Sequence, residues 1–521
     1  MLRQVLDAEG GCDLTQVNKT GGIMKHLIIS LTLMTLIPVF SFASTKPLKT
    51  PMVNYPVMTG NEVYPGSPKS TPPLLLDNLD VIGEIDTIGT TWVKIQHNGT
   101  IGRMIERSTD GYTDFVWMNG LDYGVINRHI YYNFIDPLGV QAWPGGYPVE
   151  SSQRAGYTTM DVDFNGIAFP AFHWTNTPGG DFWTAVATDF FAHTGTFITY
   201  ETLPYAGVDK IIWPKVQFDR NQVLQIVSTE NPGGFESYRH FYTTGTYNPL
   251  TYSIVYEPWE EMTWTMTIAG DVAASDISDR VAYGWTYCRD DGFPAPGGDY
   301  SQYNNDIHIL IDDDGLDPDW SQAVNLTDFI PPIPFWPPFT QNGDTLRAYT
   351  DMSLFFDQDD YLHVAFTTPS YFEIQGIMYW HASIIWHWTE QYPDEFVMIH
   401  NAFDDFWWNT VDCGTWNVKA QRPSLAQDPS TGYLYCSYQV FDCDTNAISA
   451  GDLPSGEVFV SVSTDGGMNW ALGTNITQTV TPDNGAPGSC FNEICPNMAK
   501  LVDGTCHIMY VMDHDAADPY R

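Results

Sequence analysis

The stretch Arg422-Pro-Ser-Leu-Ala-Gln-Asp428-Pro-Ser-Thr-Gly432-Tyr-Leu-Tyr-Cys-Ser-Tyr438, near the carboxyl end of the chain, decides the fold. It reads as a short strand, a turn with Asp428 and Gly432, and a second strand rich in aromatic residues. Asp and Gly supply the local hydrogen bonds and positive φ of tight turns, so the stretch predicts an antiparallel hairpin. Closely similar copies run from Tyr157 to Phe172, from Trp213 to Val227 and from Thr350 to Phe366, and looser copies turn at Asp110-Gly111, from Asp276 to Asp279 and at Asp503-Gly504.

These hairpins recur at spacings of roughly 50 to 80 residues, which is typical of four-stranded propeller blades with loop insertions. A second kind of hairpin alternates with them, most clearly from Val458 to Trp470. No long stretch has a helical apolar period, so we predict an all-β fold, a β-propeller of four-stranded antiparallel blades. Seven inner hairpins predict seven blades. Six remain the alternative if the Asp110 or Asp503 copy belongs to a shared closing blade, and the last blade is expected to be incomplete.

The amino-terminal region predicts export. Residues 24–43 read as a secretory signal peptide, because Met24-Lys25-His26 precede an apolar run that ends in Ser41-Phe42-Ala43. Residues 1–23 are interpreted as an upstream extension from a wrongly assigned start. Residues 44–75 are expected to be a flexible lead-in rich in Pro, Thr and Ser, and residues 76–521 a single propeller domain that is truncated at its carboxyl end. We therefore expect a bacterial protein that is secreted or lies on the cell surface, with no transmembrane segment, and that is a monomer.

The charge balance excludes some partners. The chain has 22 basic and 63 acidic residues, a formal net charge of −41. Nucleic acid is a poor partner because its binding needs a basic surface. Most of the acidic residues lie in turns, where solvation explains them. No cofactor is required, but a structural calcium ion is the alternative, because hard cations bind clustered carboxylates. Its candidate ligands are Asp312, Asp314, Asp317 and Asp319.

Seven cysteines follow the signal peptide, and export permits disulfides among them. Cys490 and Cys495 flank a short loop, and Cys436 and Cys443 could face each other at a strand end. Because the number of cysteines is odd, one of them is expected to stay unpaired, most simply Cys288. The sequence does not determine the connectivity.

The hairpin from Val458 to Trp470 contains Ser463-Thr-Asp465-Gly-Gly467-Met-Asn-Trp470, which matches the Asp-box S-x-D-x-G-x-x-W. Through this box and the repeated inner hairpin, residues ~90 to 521 resemble the exported BNR-repeat or sialidase-like β-propellers, many of them in bacteria that use type IX secretion. The resemblance implies that Ser463, Asp465, Gly467 and Trp470 are structural. They would form a turn between the third and fourth strands of a blade, with Trp470 filling the gap between sheets.

Four arginines lie six to ten residues before the turn of their own hairpin: Arg103, Arg154, Arg347 and Arg422. This spacing predicts positions at the mouth of the central channel. In sialidases, arginines at such positions hold the substrate carboxylate, for which the guanidinium fork is suited. Packing on aromatic rings or pairing with acids explains the same residues without a ligand. The sialidase Arg-Ile-Pro motif is absent, and the sequence assigns no nucleophilic Tyr-Glu pair or other catalytic residue.

Two functions follow from these observations. The main interpretation is an exported, non-catalytic binding propeller that recognises glycans or an extracellular protein. Its aromatic-rich loops would supply stacking surfaces: Phe406-Trp407-Trp408, Trp386-His387-Trp388 and Phe335-Trp336-Pro337-Pro338. The alternative is a sialidase-type glycoside hydrolase that uses the arginine cluster. A last prediction concerns ring closure, in which residues 91–96 form a strand in the same blade as residues 496–512.

Overall fold

The structure is a computed structural model that describes residues 60–64, 81–208, 210–231, 238–265, 267–288, 305–328, 347–374, 377–402, 413–442 and 447–517. All of these residues belong to one compact unit. The upstream extension and the signal peptide lie outside the described residues. The described part is all-β, with one short 3-10 helix at Trp320–Gln322.

The strands form antiparallel sheets in chain order. The first sheet contains β1 (Ile105–Arg107), β2 (Thr113–Gly120), β3 (Arg128–Ile135) and β4 (Tyr147–Pro148). A nine-stranded sheet contains β5 (Arg154–Val162), β6 (Ala168–Thr175), β7 (Trp183–Asp189), β8 (Phe197–Glu201), β9 (Ile211–Phe218), β10 (Val223–Glu230), β11 (Tyr238–Asn248), β12 (Ser253–Tyr256) and β13 (Glu260–Thr265).

Three more four-stranded sheets follow, and a two-stranded sheet comes last. They contain β14 (Gly270–Ala274), β15 (Val281–Cys288), β16 (Asn305–Asp312) and β17 (Val324–Asn325); β18 (Met352–Phe356), β19 (Leu362–Ile374), β20 (Ile377–Thr389) and β21 (Val397–Asn401); β22 (Ala420–Asp428), β23 (Tyr433–Phe441), β24 (Gly456–Ser463) and β25 (Thr474–Asn475); and β26 (Asn492–Met498) with β27 (Ile508–Asp513).

The nine-stranded sheet consists of two four-stranded units, β5 to β8 and β9 to β12. A single parallel pair, Trp183 with Ile211, joins them, and β13 is an additional strand beside β11. The sequence prediction of repeated four-stranded antiparallel units in a β-propeller fold is therefore confirmed. Each tight turn follows the expected chemistry; for example, the Asp428 carboxylate accepts a hydrogen bond from the backbone N–H of Ser430 at 2.8 Å.

The first strands of successive units lie beside one another: β1, β5, β9, β14, β18, β22 and β26. The last of them also contacts the first. Asn497 Oδ1 accepts a hydrogen bond from the backbone N–H of Met104 at 2.7 Å, and Arg103 Nη1 donates to the carbonyl of Met498 at 2.8 Å. These inner strands carry the buried polar side chains of the molecule's centre.

The apolar core fills the spaces between neighbouring sheets. One cluster joins the sheets that begin with β14, β18 and β22, and it includes the fully buried Phe366 and Tyr438 together with Trp386 and Trp388. Trp386, His387 and Trp388 therefore do not form a surface loop as predicted. They lie on β20 and are buried, because that strand is covered on both faces. The other two aromatic stretches lie outside the described residues.

The predicted closing strand is wrong. Residues 91–96 are not in a strand and do not pair with β26 or β27. Instead the segment crosses the start of the inner strands. Lys94 Nζ lies 3.6 Å from the carboxylate of Asp513, the last residue of β27, whereas His97 Nε2 is 2.7 Å from the carbonyl of Thr158 on β5. The side chains of this segment make hydrogen bonds that a sheet ladder would otherwise provide.

Two further findings concern the sequence predictions. Among the described residues, no helix is long and apolar enough to cross a membrane. Cys490 and Cys495 do not pair with each other; the thiol of Cys490 lies 3.4 Å from the carbonyl of Gly485, and that of Cys495 lies 3.6 Å from the carbonyl of Lys94. Cys443 lies outside the described residues.

Candidate active site

A bulge near the start of four inner strands builds the candidate site. Tyr157, Trp213, Arg422 and Cys495 all have a left-handed backbone, with φ between 55° and 60°. The pairing register shifts at each of these places. A bulge re-aims the side chain it carries, and non-glycine residues at positive φ are strained and cluster at functional sites. Proline follows three of the four residues, which is tolerated because an inner strand is an edge strand.

Tyr157 is the centre of the site. Its side chain is only 2% exposed, and its hydroxyl donates a hydrogen bond to the Glu62 carboxylate. Glu62 lies within the sequence region that was expected to be a flexible lead-in, yet residues 60–64 pack on the inner strands. The other Glu62 oxygen accepts from the backbone N–H of Gly60 at 3.1 Å and from Asn98 Nδ2 at 3.3 Å. The phenol and the carboxylate are thus held in hydrogen-bond contact.

Two guanidinium groups adjoin this pair. Arg128 is fully buried, and its Cζ lies 4.9 Å from the centre of the Tyr157 ring. It donates to the carbonyls of Ala155 at 2.7 Å and Gly60 at 2.8 Å. Arg154 donates to the carbonyls of Glu62 at 2.5 Å and Val125 at 3.0 Å. Among the described residues, neither guanidinium has a carboxylate oxygen within 4.0 Å, so their charges are held by backbone carbonyls and by the neutral side chains of Asn61 and His173.

Electrostatics and unused donors both indicate an oxygen-rich ligand. Burial and the neighbouring Arg128 lower the pKa of Arg154 to about 10. Within the described part of the chain, the buried Nε of Arg154 and the buried indole N–H of Trp213 have no hydrogen-bond acceptor. A buried donor without an acceptor is costly, and native proteins seldom keep one without a ligand, ion or water to satisfy it.

A buried lysine on the inner strand β9 contacts a buried histidine of the segment that crosses the inner strands. Lys215 Nζ is 3.2 Å from His97 Nδ1, and His97 Nε2 donates to the carbonyl of Thr158. Burial lowers the pKa of Lys215 to about 7, and burial together with the Lys215 charge lowers the pKa of His97 well below its ordinary value. The lowered pKa makes the uncharged amine of Lys215 more accessible near neutral pH than that of an ordinary lysine.

His173 supports the cluster from β6. Its ring lies 5.1 Å from the Tyr157 ring, and its Nε2 is 3.0 Å from the carbonyl of Gly60. Burial lowers its pKa well below the ordinary value, so it is a neutral imidazole that fixes Gly60. His173 and Arg128 thus hold the same carbonyl and position the segment that carries Glu62.

The four arginines chosen from the sequence separate into different surroundings. Arg154 is in the site described above. Arg422 lies at the equivalent bulge and donates to Gln439 Oε1 at 3.0 Å. Arg103 lies between β22 and β26, where it binds Ser424 Oγ at 3.2 Å and the Met498 carbonyl. Arg347 lies 3.7 Å from Asp306. A shared ligand site of the four arginines at one channel mouth stays a prediction.

Ser463, Asp465 and Gly467 lie together in one hydrogen-bonded turn. Ser463 Oγ donates to Asp465 Oδ1 at 2.9 Å and accepts from the Gly467 N–H at 2.9 Å, and Trp470 packs against the core. This turn connects the third and fourth strands of its sheet.

The structure gives no evidence that the four aspartates predicted as calcium ligands bind a metal ion together. Asp314 accepts from the Leu316 N–H at 3.1 Å, and Asp319 caps the short 3-10 helix. Over the described ranges, no group of three or more His, Cys, Asp or Glu side chains could hold a metal ion. Calcium binding by Asp312, Asp314, Asp317 and Asp319 stays a prediction.

Sequence reasoning missed Glu62, Arg128, Tyr157 and Lys215. One signal was present: Tyr157 and Trp213 each precede the turn aspartate of their hairpin by six residues, the same spacing as in Arg422 and Asp428. Glu62 gave no signal, because it enters the site from a segment outside the repeat.

No protein-family model matches the chain, and no curated protein matches it. Solved structures of similar fold include a PL25 ulvan lyase bound to a GlcA(1-4)Rha3S saccharide, with 7% identity, a TM-score of 0.46, and coverage of 81% of this chain and 92% of that chain. Another is the α-L-arabinofuranosidase Arb93A from Fusarium graminearum, with 12% identity, a TM-score of 0.37, and coverage of 68% and 91%. A third is an endo-arabinase from Bacteroides thetaiotaomicron, with 8% identity, a TM-score of 0.31, and coverage of 70% and 96%.

This finding corrects the main functional interpretation drawn from the sequence. The chain was interpreted as a non-catalytic binding propeller, whereas the similar solved structures are of glycan-active enzymes. The sequence assigned no catalytic residue from the repeat alone. The contact between Tyr157 and Glu62 joins a repeat residue to one outside the repeat.

Proposed function

We propose that the protein is a glycan-processing enzyme that acts on a carboxylate-bearing sugar at the Tyr157 site. One observation carries the proposal: the buried guanidinium of Arg128 and the half-buried guanidinium of Arg154, which have no carboxylate partner in the described residues, flank a tyrosine that is hydrogen-bonded to a carboxylate. In a chain of net charge −41, such a positive centre attracts an anionic ligand against the general field of the protein.

The reaction best supported by these groups is hydrolysis with Tyr157 as the nucleophile. Glu62 accepts the phenol proton, and the Tyr157 oxygen attacks the anomeric carbon while the glycosidic bond breaks and the leaving oxygen takes a proton from water. A second water then attacks the anomeric carbon and breaks the bond between the sugar and tyrosine; Glu62 returns its proton to the phenol oxygen, and the proton of the attacking water goes to solvent. The guanidinium of Arg128 beside the ring stabilises the negative charge that develops on the phenol oxygen, and Arg154 binds the sugar carboxylate.

Lys215 favours a second candidate reaction, β-elimination in a uronic acid chain. A buried amine with a pKa of about 7 can remove the proton beside the sugar carboxylate. The bond to the leaving oxygen then breaks, and a carbon–carbon double bond conjugated to the carboxylate forms. Hydrolysis and elimination use the same carboxylate-binding groups, but they give chemically different products.

The test is turnover by the purified protein. One assay measures fluorophore release from a fluorogenic sialoside, and the other measures the ultraviolet absorbance of an unsaturated uronate released from a polyuronate. Tyr157→Phe removes the hydroxyl alone and should lower kcat by about 10²-fold or more. Lys215→Met should abolish elimination while leaving hydrolysis measurable.

Tyr361→Phe is the matched control, because Tyr361 is 37% exposed in the turn before β19. It should leave turnover unchanged. Full activity of the Tyr157→Phe variant, or turnover of neither substrate by the wild-type protein, would overturn the proposal. Near-UV circular dichroism confirms that each variant retains its tertiary packing.

The proposal also includes the number of blades, the route of export and the oligomeric state. The seven inner strands correspond to seven blades, with six four-stranded units and a final two-stranded one in the described residues. The chain is exported through residues 24–43 and acts as a monomer on an extracellular glycan. Amino-terminal sequencing of the exported protein tests the cleavage expected after Ala43.

A further inference from the structure

We infer that the surface formed by Tyr205, Arg239, Glu261 and Trp264 is a second sugar-binding subsite, which takes a neutral pyranose residue. We refer to these four residues as the Trp264 platform. Trp264 is 53% exposed, although tryptophan gains most from burial. The inference deepens the proposed function by adding a binding position for the same glycan, and it rests on that function only for the identity of the glycan as substrate.

The platform is held rigidly by hydrogen bonds that leave the indole ring in solvent. Glu261 Oε1 accepts from the Tyr205 hydroxyl at 2.9 Å, and Glu261 Oε2 accepts from the Trp264 indole N–H at 3.3 Å. Arg239 Nη1 also donates to Glu261 at 3.2 Å, and its Cζ lies 4.9 Å from the Trp264 ring. A side chain fixed in this way loses little conformational entropy when a ligand stacks on it.

Arg239 is also held by a second carboxylate, that of Glu230. Its Nε and Nη2 donate to the two Glu230 oxygens at 2.6 and 2.8 Å, so the guanidinium plane is set by a bidentate pair. With its charge shared between Glu230 and Glu261, Arg239 offers no charge to an anion. This separates it from Arg128 and Arg154 in the candidate active site, which have no carboxylate partner in the described residues.

The strand that carries Trp264 is an addition to the repeated unit. β13 pairs with β11 next to β12, and Trp264 lies directly opposite Arg239. In the described residues, only this sheet has such a ninth strand. β13 supplies Met262 to the core, whereas Trp264 on the same strand stays exposed and is not part of that core.

The platform lies at the same edge of the sheet as the candidate active site. Glu230, which fixes Arg239, is opposite Ile211, two residues before the site residue Trp213. Moving outward from β9 through β10 and β11 to β13 crosses three strand spacings, about 14 Å. Tyr157 lies on β5, and its ring centre is 6.5 Å from that of Trp213 on β9. A glycan of several residues is therefore needed to extend from Tyr157 to Trp264.

The side chains of the Trp264 platform determine which kind of sugar residue it can bind. The apolar C–H face of a pyranose stacks on an indole ring, and Glu261 at its rim accepts hydrogen bonds from hydroxyl groups. Glu230, Glu260 and Glu261 together repel a carboxylate or sulfate. The expected substrate is thus a glycan that contains neutral residues beside the acidic residue bound in the active site.

The experiment measures binding rather than turnover. Isothermal titration uses the Tyr157→Phe protein with cellohexaose, xylohexaose and mannohexaose as neutral probes. We expect at least one probe to bind, and Trp264→Ala to raise its Kd by about ten-fold, with Trp264→Phe intermediate. Phe164→Ala is the matched control, because Phe164 is 78% exposed in the turn at the opposite end of its strands.

The inference is overturned if no probe binds, or if Trp264→Ala and Phe164→Ala have the same Kd. Binding that depends on Trp264 in a protein without turnover would support the subsite and contradict the proposed function. Turnover of an acidic glycan by a protein whose probe binding does not depend on Trp264 would support the proposed function and contradict the subsite. The large exposure of Trp264 means that its replacement should leave the melting temperature nearly unchanged.

Discussion

At the scale of single residues, the backbone decides which side chains meet. Tyr157 reaches Glu62 because its left-handed φ of 55° lifts the side chain out of the regular alternation of β5. Such strain costs on the order of 1–3 kcal/mol, so the surrounding hydrogen bonds must hold it. His173 and Arg128 contribute by fixing the segment that carries Glu62.

Arg154 gives the first prediction at this scale. Arg154→Lys keeps the positive charge but loses the planar fork and the unused Nε donor, so it should raise KM for the acidic substrate about ten-fold. Steady-state kinetics measures this change. Arg220→Lys is the control, because Arg220 forms a solvent-exposed pair with Asp279 at 3.0 Å, and its KM should equal that of the wild type. Equal KM values for both variants would contradict a role for Arg154 in carboxylate binding.

Glu493 gives a second prediction, on the pH dependence of stability. Burial, together with the nearby Glu457, raises its pKa to about 8. Between pH 4.5 and 8 the folded protein therefore binds more protons here than the unfolded chain, so this residue makes stability fall as pH rises through that window. Glu493→Gln cannot ionise, and it should reduce the loss of stability between pH 5 and pH 9 by on the order of 2 kcal/mol.

Urea denaturation at both pH values measures the effect on the free energy of unfolding. Comparing the change between pH 5 and pH 9 in each protein cancels any effect of the substitution that does not depend on pH. A wild-type protein and a Glu493→Gln variant with parallel pH profiles would show that Glu493 ionises normally.

At the scale of elements, the Ser463 turn tests how tightly neighbouring sheets pack. Gly467 has a φ of 89°, and a Cβ added there would lie 2.0 Å from His387 Cε1 on β20. Gly467→Ala therefore combines backbone strain with a clash against a buried ring, and it should destabilise the protein by about 3 kcal/mol or more.

Gly504→Ala is the matched control for that prediction. Gly504 has a similar φ of 87°, but an added Cβ would meet no atom within 4 Å. It should cost about 1 kcal/mol from backbone strain alone. Thermal unfolding that shows equal losses for the two variants would mean that the turn does not pack on His387 as described.

Prediction from sequence succeeded where the structure is local. The turn of Asp428 and the box from Ser463 to Trp470 are determined by hydrogen bonds within a few residues, so their patterns predicted the repeated antiparallel units. It failed where a contact joins distant segments. Nothing local to Glu62 indicates that it meets Tyr157, 95 positions away, and nothing local to residues 91–96 prevents them from pairing as a strand.

At the scale of the whole molecule, charge is distributed unevenly. The net charge is −41, yet Arg128, Arg154, Lys215 and Arg422 lie near the starts of the inner strands. An acidic surface repels anionic polymers and so reduces their non-specific binding. An anion is then stabilised mainly at the cationic candidate active site.

The junction between β26 and β1 yields the last prediction, because there the end of the chain meets its beginning. Asn497 is 1% exposed; its Oδ1 accepts from the Met104 N–H at 2.7 Å, and its Nδ2 donates to the carbonyl of Gly102. Asn497→Leu keeps the size but leaves a buried donor unpaired, which should cost about 2–4 kcal/mol. The control is Asp503→Asn, which weakens the partly exposed pair with Arg107 across the same junction and should cost less than about 1 kcal/mol. If the junction holds the inner strands together, calorimetry of the Asn497→Leu variant should show one transition at a lower temperature, because opening it weakens every unit. An unchanged melting temperature, or a separate early transition for the last sheet alone, would show that the units unfold independently.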